Sequence, residues 1–386
     1  MSFLNPDDCR VDDLARMVLD AAPPPTPLAA EQLRGVPIYD CVALRPRLAA
    51  ESDFRRRLQA EWAEVFADGA GVLALRGAYA DANLLDASTA LFRALIEAER
   101  KAGTGGGDHF AKPGTNDRVW NALQKMCLRD PALFAAYYAN DIIDLVSGAW
   151  LGPQYQMTAQ VNCVNPGGAA QMAHRDYHLG FMSPQQAALF PAHVHTALSP
   201  MLTLQGAVAH VDMPLVSGPT LYLPHSQKYL NGYMAPGRPD FQALFDQHHV
   251  QLPLAKGDAV FFNPALMHAA GHNRSADILR LANLLQVSSA FGRAMESVDR
   301  AKMSLALYPA LQHSISTGRL TRAQATLAIK CCAEGYAFPT NLDRDPPIGG
   351  LAPQSQQGLM NQALDEGWTP ERFETELRSR AALREA

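Results

Sequence analysis

The sequence predicts a mainly β protein, a two-sheet barrel or jelly roll with helices at both ends. Two observations carry this. From about residue 155 to 290 the chain breaks into short runs rich in β-branched and aromatic residues, separated by Gly, Pro, Asn and Asp. Before and after that stretch, apolar residues recur at helical spacing. No internal repeat interrupts the pattern.

In chain order, "APPPTPL" at 22 to 28 reads as an extended lead-in. "ESDFRRRLQAEWAEVFADG" reads as a helix capped by Ser52, with Phe54, Leu58, Trp62 and Val65 on one stripe and Gly69 and Gly71 past its end. "VLALRG" is then a short buried strand, "ADANLLDASTALFRALIEAERKA" a second amphipathic helix, and "GTGGGD" a loop. The predicted strands are "YQMTAQVNCVN", "MLTLQGAVAHV", "PTLYLP", "HVQLPL", "DAVFFN" and "RLANLLQVSSA". Helices return in "TRAQATLAIKCCAEGYA" and "TPERFETELRSRAALREA", the second opened by Thr369 and Pro370 as cap and first turn. The intervening "PTNLDRDPPIGGLAPQSQQG" reads as loop. The expected division is a lead-in over 1–48, a β domain with its N-terminal helices over 49–300, and a helical extension over 301–386.

The stretch "DHFAKPGTNDRVWNALQK", residues 108 to 125, has two readings. One is a surface loop and helix start capped by Asn116 or Asp117. The other is a substrate lid contributing Lys112, Trp120 or Asn121.

With 386 residues, 48% of them hydrophobic, the chain can bury a full core. A net charge of -5 and a pI of about 6.2 speak against a nucleic-acid partner. No apolar run reaches the roughly 18 residues of a membrane span. The opening "MSFLNPDDCRVDD" has no basic segment followed by an apolar one, and the six scattered cysteines form no CxxC pair. Together these predict a cytoplasmic protein with reduced thiols. A homodimer stays open.

Chemistry concentrates in "AQMAHRDYHLGF", residues 170 to 181. On a strand, His174 and Asp176 face one side and Arg175 the other. An imidazole and a carboxylate on one face are two metal ligands, and a third is needed. In "KGDAVFFNPALMHAAGHN", His268 sits just past a strand end and supplies it. His272 competes with it. Two imidazoles and one carboxylate form the facial triad of non-haem Fe(II) oxygenases, which keeps positions open for a cosubstrate and O2. Arg280, twelve residues on, opens the next strand and could clamp a carboxylate with two hydrogen bonds. "HRDYH" lacks the glutamate of HExxH, and Gly180 and Pro184 oppose a long helix, which argues against a zinc protease.

At this point the chain resembles the phytanoyl-CoA dioxygenase family of Fe(II)/2-oxoglutarate oxygenases. The pieces are "QMAHRD", "HVDMPLVSGPTLYLPHS", "KGDAVFF" and "HAAGHN" followed by Arg280, in order over about 155 to 290. The resemblance implies a cupin-like double-stranded β-helix core. It makes His174, Asp176 and His268 the iron ligands, and Arg280 the partner of the distal carboxylate of 2-oxoglutarate. It adds Gln171 and Thr220 as further cosubstrate contacts. Three departures stand out: Ala270 where a hydroxyl is usual, "PHSQ" at 224 to 227 for "PGSH", and the extra His272.

The expected activity is oxidation of a small organic substrate, with O2 consumed and succinate and CO2 released. Tyr177, His178, Trp120 and His225 are the candidates for lining the substrate pocket, and they suit a compact, partly polar molecule. The rival readings are a non-catalytic cupin-like binding or sensor protein, an acyl-CoA hydroxylase of the same family, and a halogenase. The last needs a small residue in place of Asp176.

Overall fold

A computed structural model describes residues 3–104, 106–107, 114–176, 182–337, 341–347, 349 and 351–385. The described residues form two sheets. Eleven strands run β1 Glu31–Leu33, β2 Val36–Asp40, β3 Val72–Arg76, β4 Asn116–Val119, β5 Gln156–Val164, β6 Thr203–Ala209, β7 Leu221–Tyr222, β8 Val250–Gln251, β9 Ala259–Phe262, β10 His268–Ala269 and β11 Arg280–Ser288. The large sheet has the order β1-β2-β3-β9-β6-β11-β5-β4, and the small one β10-β7-β8. Pairing is antiparallel except between β2 and β3.

Side-chain alternation explains how one sheet serves two purposes. On β11, Leu281, Leu285 and Val287 join the main core, while Arg280, Ala282, Leu284 and Gln286 line a cavity. On β5, Met157, Ala159, Val161 and Cys163 face the core, and Gln160 and Asn162 the cavity. Helices cover the core face. Phe54–Ala67 buries Phe54, Leu58, Trp62 and Val65, the predicted stripe. The cavity is lined from both sheets, by Tyr222 and His268 from the small one.

All six predicted strands of the central stretch form, as does the strand at 72–76. Thr369 caps Pro370–Ala382, and Thr321 opens Arg322–Cys332 with a capping box. Several expectations are corrected. Asp53, not Ser52, occupies the N-cap of the Phe54 helix, and it makes no side-chain cap bond. Asn116 and Asp117 do not start a helix: β4 pairs with β5, and the helix begins at Ala122. Residues 31–40 of the lead-in form β1 and β2 and join the large sheet. The loop assigned up to Gly358 ends earlier, since Gln356–Asp365 is a helix capped by Ser355.

Candidate metal and cosubstrate site

The site is assembled by backbone pairing of two distant segments. His174 and His268 form an isolated antiparallel bridge, with N–H to O distances of 2.9 and 3.0 Å in the two directions. His268 is held in turn by β7, opposite Tyr222. The Asp176 amide donates to the Pro264 carbonyl at 3.1 Å. Arg175 points away, as alternation requires. It is 3% exposed and donates to the Ser226 and Tyr229 carbonyls.

One donor atom from each of His174, Asp176 and His268 lies within 4.8 Å of the others. Asp176 Oδ1 is 3.9 Å from His174 Nε2, and Oδ2 is 3.7 Å from His268 Nε2. These are too long for hydrogen bonds. They suit donors that share an ion, since ligands about 2.1 Å from one metal lie roughly 3–4 Å apart. The tautomers fit as well. His174 Nδ1 is 2.9 Å from the Met172 carbonyl, and His268 Nδ1 is 2.8 Å from the Leu266 carbonyl. A carbonyl only accepts, so each Nδ1 carries the proton and each Nε2 presents its lone pair. Burial works to raise the Asp176 carboxyl. His268 and His174, when their Nε2 atoms carry a proton in place of a metal, and a hydrogen bond from Gln205 outweigh it and bring the group below the usual carboxylate range. The donor set therefore fits a first-row divalent metal of the Fe(II) type.

The same cavity holds Arg280, Gln171, Thr220, Trp120, Arg118, Met295 and the amides Gln160, Asn162, Gln205 and Gln286. Arg280 is 7% exposed and donates long bonds, 3.3 Å each, to the Ser217 and Gly271 carbonyls. No carboxylate pairs with it among the described residues, and burial pushes its guanidinium down to about 10. A buried cation without a counter-ion favours an anionic occupant. Gln171 accepts from the Ala270 amide at 3.1 Å. Arg274, the other arginine of this segment, is exposed and does not line the cavity.

The structure thus brings His174, Asp176, His268, Arg280, Gln171, Thr220 and Trp120 to one cavity. His225 is not among the lining residues. It is buried at a turn with φ of 69°, its amide bonded to the Ala70 carbonyl. His272 does not belong to the metal-ligand cluster either. Tyr177, His178 and Lys112 lie outside the described residues. Sequence reasoning passed over Gln205, Gln286, Gln160, Tyr222 and Met295. A signal for Gln286 was present, since it lies six residues from Arg280 and so shares its face.

The sequence model of the family described as Phytanoyl-CoA dioxygenase (PhyH) matches residues 57–282. No curated protein matches the chain. Among solved structures, the non-heme alpha ketoglutarate dependent epimerase SnoN from nogalamycin biosynthesis is 18% identical, covering 61% of this chain and 82% of its own, with a TM-score of 0.43. The non-heme alpha ketoglutarate dependent carbocyclase SnoK from the same biosynthesis is also 18% identical, covering 65% and 92%, with a TM-score of 0.44.

Proposed function

Because the chain belongs to the phytanoyl-CoA dioxygenase family, whose enzymes depend on Fe(II) and 2-oxoglutarate, we propose that it hydroxylates a small organic substrate with release of succinate and CO2. The observation that carries this reading is Arg280, a buried cation without a carboxylate partner among the described residues, in one cavity with a two-histidine, one-carboxylate donor set.

His174 Nε2, Asp176 and His268 Nε2 would hold Fe(II) on one side and leave its remaining positions to small ligands. When bound, the iron with 2-oxoglutarate and O2 supplies the oxidising power that breaks a substrate C–H bond. The chain's own work is positioning. Arg280 takes the distal carboxylate of 2-oxoglutarate, with Thr220 and Gln171 lining the same cavity. Asp176 stays ionised and offsets part of the metal charge. Leu284, Val260, Phe262 and Met295 exclude water from the lining.

The substrate is compact and partly polar in this reading. Trp120 and the amides Gln160, Asn162 and Gln286 offer stacking and neutral hydrogen bonds. Arg118 and Arg280 are the cations of the lining among the described residues, and a coenzyme A thioester calls for more at the mouth. Residues 49–300 carry the chemistry, and 301–386 brace it: Lys330 pairs with buried Asp144 at 2.7 Å.

Arg280→Lys tests the assignment. It keeps the charge and loses the two-pronged geometry, so the apparent KM for 2-oxoglutarate should rise roughly ten- to a hundredfold. Arg274→Lys should leave it unchanged. An unaltered KM in Arg280→Lys would remove Arg280 from the role. Turnover of acyl-CoA thioesters and of no free small acid or amino acid would contradict the substrate class.

A further inference from the structure

The geometry points to Gln205 as a positioning residue that fixes the carboxylate of Asp176 for binding through one oxygen; this rests on the iron-site reading above. Gln205 Nε2 donates to Asp176 Oδ2 at 2.7 Å and to Gln286 Oε1 at 3.2 Å. The amide's orientation follows from its partner, because a carboxylate can only accept and the nitrogen must therefore face it.

Three observations make this more than an ordinary contact. First, the two ends of the bond differ in how they are held. Gln205 is 3% exposed on β6, which sits between β9 and β11 in the large sheet. It stands directly opposite Gln286 in the β6–β11 register. Asp176 lies outside any strand and is tied by its amide to the Pro264 carbonyl. The bond therefore transfers the rigidity of the sheet to a carboxylate that its own segment does not fix.

Second, the two carboxylate oxygens have different surroundings. Both oxygens face a ligand histidine, Oδ1 at 3.9 Å from His174 Nε2 and Oδ2 at 3.7 Å from His268 Nε2, but only Oδ2 also accepts the Gln205 N–H. A hydrogen bond on one oxygen reduces its donor strength and leaves the other as the better metal ligand. Third, the arrangement is costly. Gln205 Oε1 is buried and meets no donor among the described residues. An unsatisfied buried acceptor costs on the order of 1–3 kcal/mol, and natural structures keep such atoms where another requirement overrides stability. Both amide hydrogens go toward Asp176 and Gln286 at the expense of the oxygen.

The test is anaerobic titration of the purified full chain with Co(II), read by its d–d absorption, for the native protein, Gln205→Leu, Gln205→Met and Gln286→Leu. Loss of a hydrogen bond to a metal ligand typically weakens metal binding roughly 10- to 100-fold. Gln205→Leu should show that loss together with an altered d–d spectrum, and Gln286→Leu a smaller one. Thermal melting of the metal-free forms checks that the fold is kept. Should Gln205→Leu fail to fold, Gln205→Met decides. It keeps the length of the side chain and has no N–H to give Asp176, so it should show the same loss. Native affinity and an unchanged spectrum in a folded Gln205 variant would overturn the assignment. Failure of the native protein to bind Co(II) would instead overturn the metal-site reading on which it rests.

Discussion

At the residue scale, His268 and His272 are the instructive pair. They lie four apart, and spacing alone does not choose between them. Backbone pairing does: the His174–His268 bridge brings those two rings to a centroid distance of 4.5 Å. His268→Ala should therefore abolish stoichiometric Fe(II) binding, and His272→Ala should leave it intact, as measured by metal analysis after anaerobic loading. The reverse pattern would exchange their roles. The three ligands were legible because a His-x-Asp pair and a histidine beyond a strand end have a recognisable order. Gln205 and Tyr222 were not, because neutral amides and phenols on strands are common and only the register, Gln286 opposite Gln205 and His268 opposite Tyr222, gives them a place.

At the element scale, the turn before β7 shows how loop geometry reaches the site. Gly218 has φ of 69°, and a Cβ there would lie 2.3 Å from the His272 carbonyl oxygen. The preceding Ser217 carbonyl receives the Arg280 guanidinium. Gly218→Ala should cost roughly 1–3 kcal/mol of stability and raise the KM for 2-oxoglutarate. Equal Tm and KM would show that the turn adapts. Strands were legible from β-branched runs between turn residues. Helices with interior proline were not: Cys41–Ala50 contains Pro46 and Arg300–Ser316 contains Pro309. The polar β4 read as a helix start because its hydrogen-bonding partner, β5, is some forty residues away in sequence.

At the scale of the whole molecule, the helix layer and the sheet are joined by buried polar groups that the site does not use. His210 is 1% exposed, with Nδ1 2.8 Å from Thr89 Oγ1 and Nε2 2.9 Å from the Tyr137 hydroxyl. Burial, aided by the charge of Lys256, pushes its imidazole down to about 3. The unfolded side chain takes up a proton near pH 6.5, and the folded one resists until far lower. Its contribution is therefore complete above about pH 6.5 and is lost as the pH falls toward 3, by up to about 1.4 kcal/mol per pH unit. Urea unfolding at pH 7 and pH 5 should show this slope, and His210→Gln should flatten it. An equal slope in the variant would place the acid sensitivity elsewhere.

The central claim is that one cavity holds iron at one side and the 2-oxoglutarate tail at another, and anaerobic crystallography with Fe(II) and 2-oxoglutarate tests it most directly. The iron anomalous signal should lie between His174 Nε2, Asp176 and His268 Nε2, with the distal carboxylate of 2-oxoglutarate on the Arg280 guanidinium. Iron bound at other side chains, or 2-oxoglutarate bound away from Arg280, would contradict it.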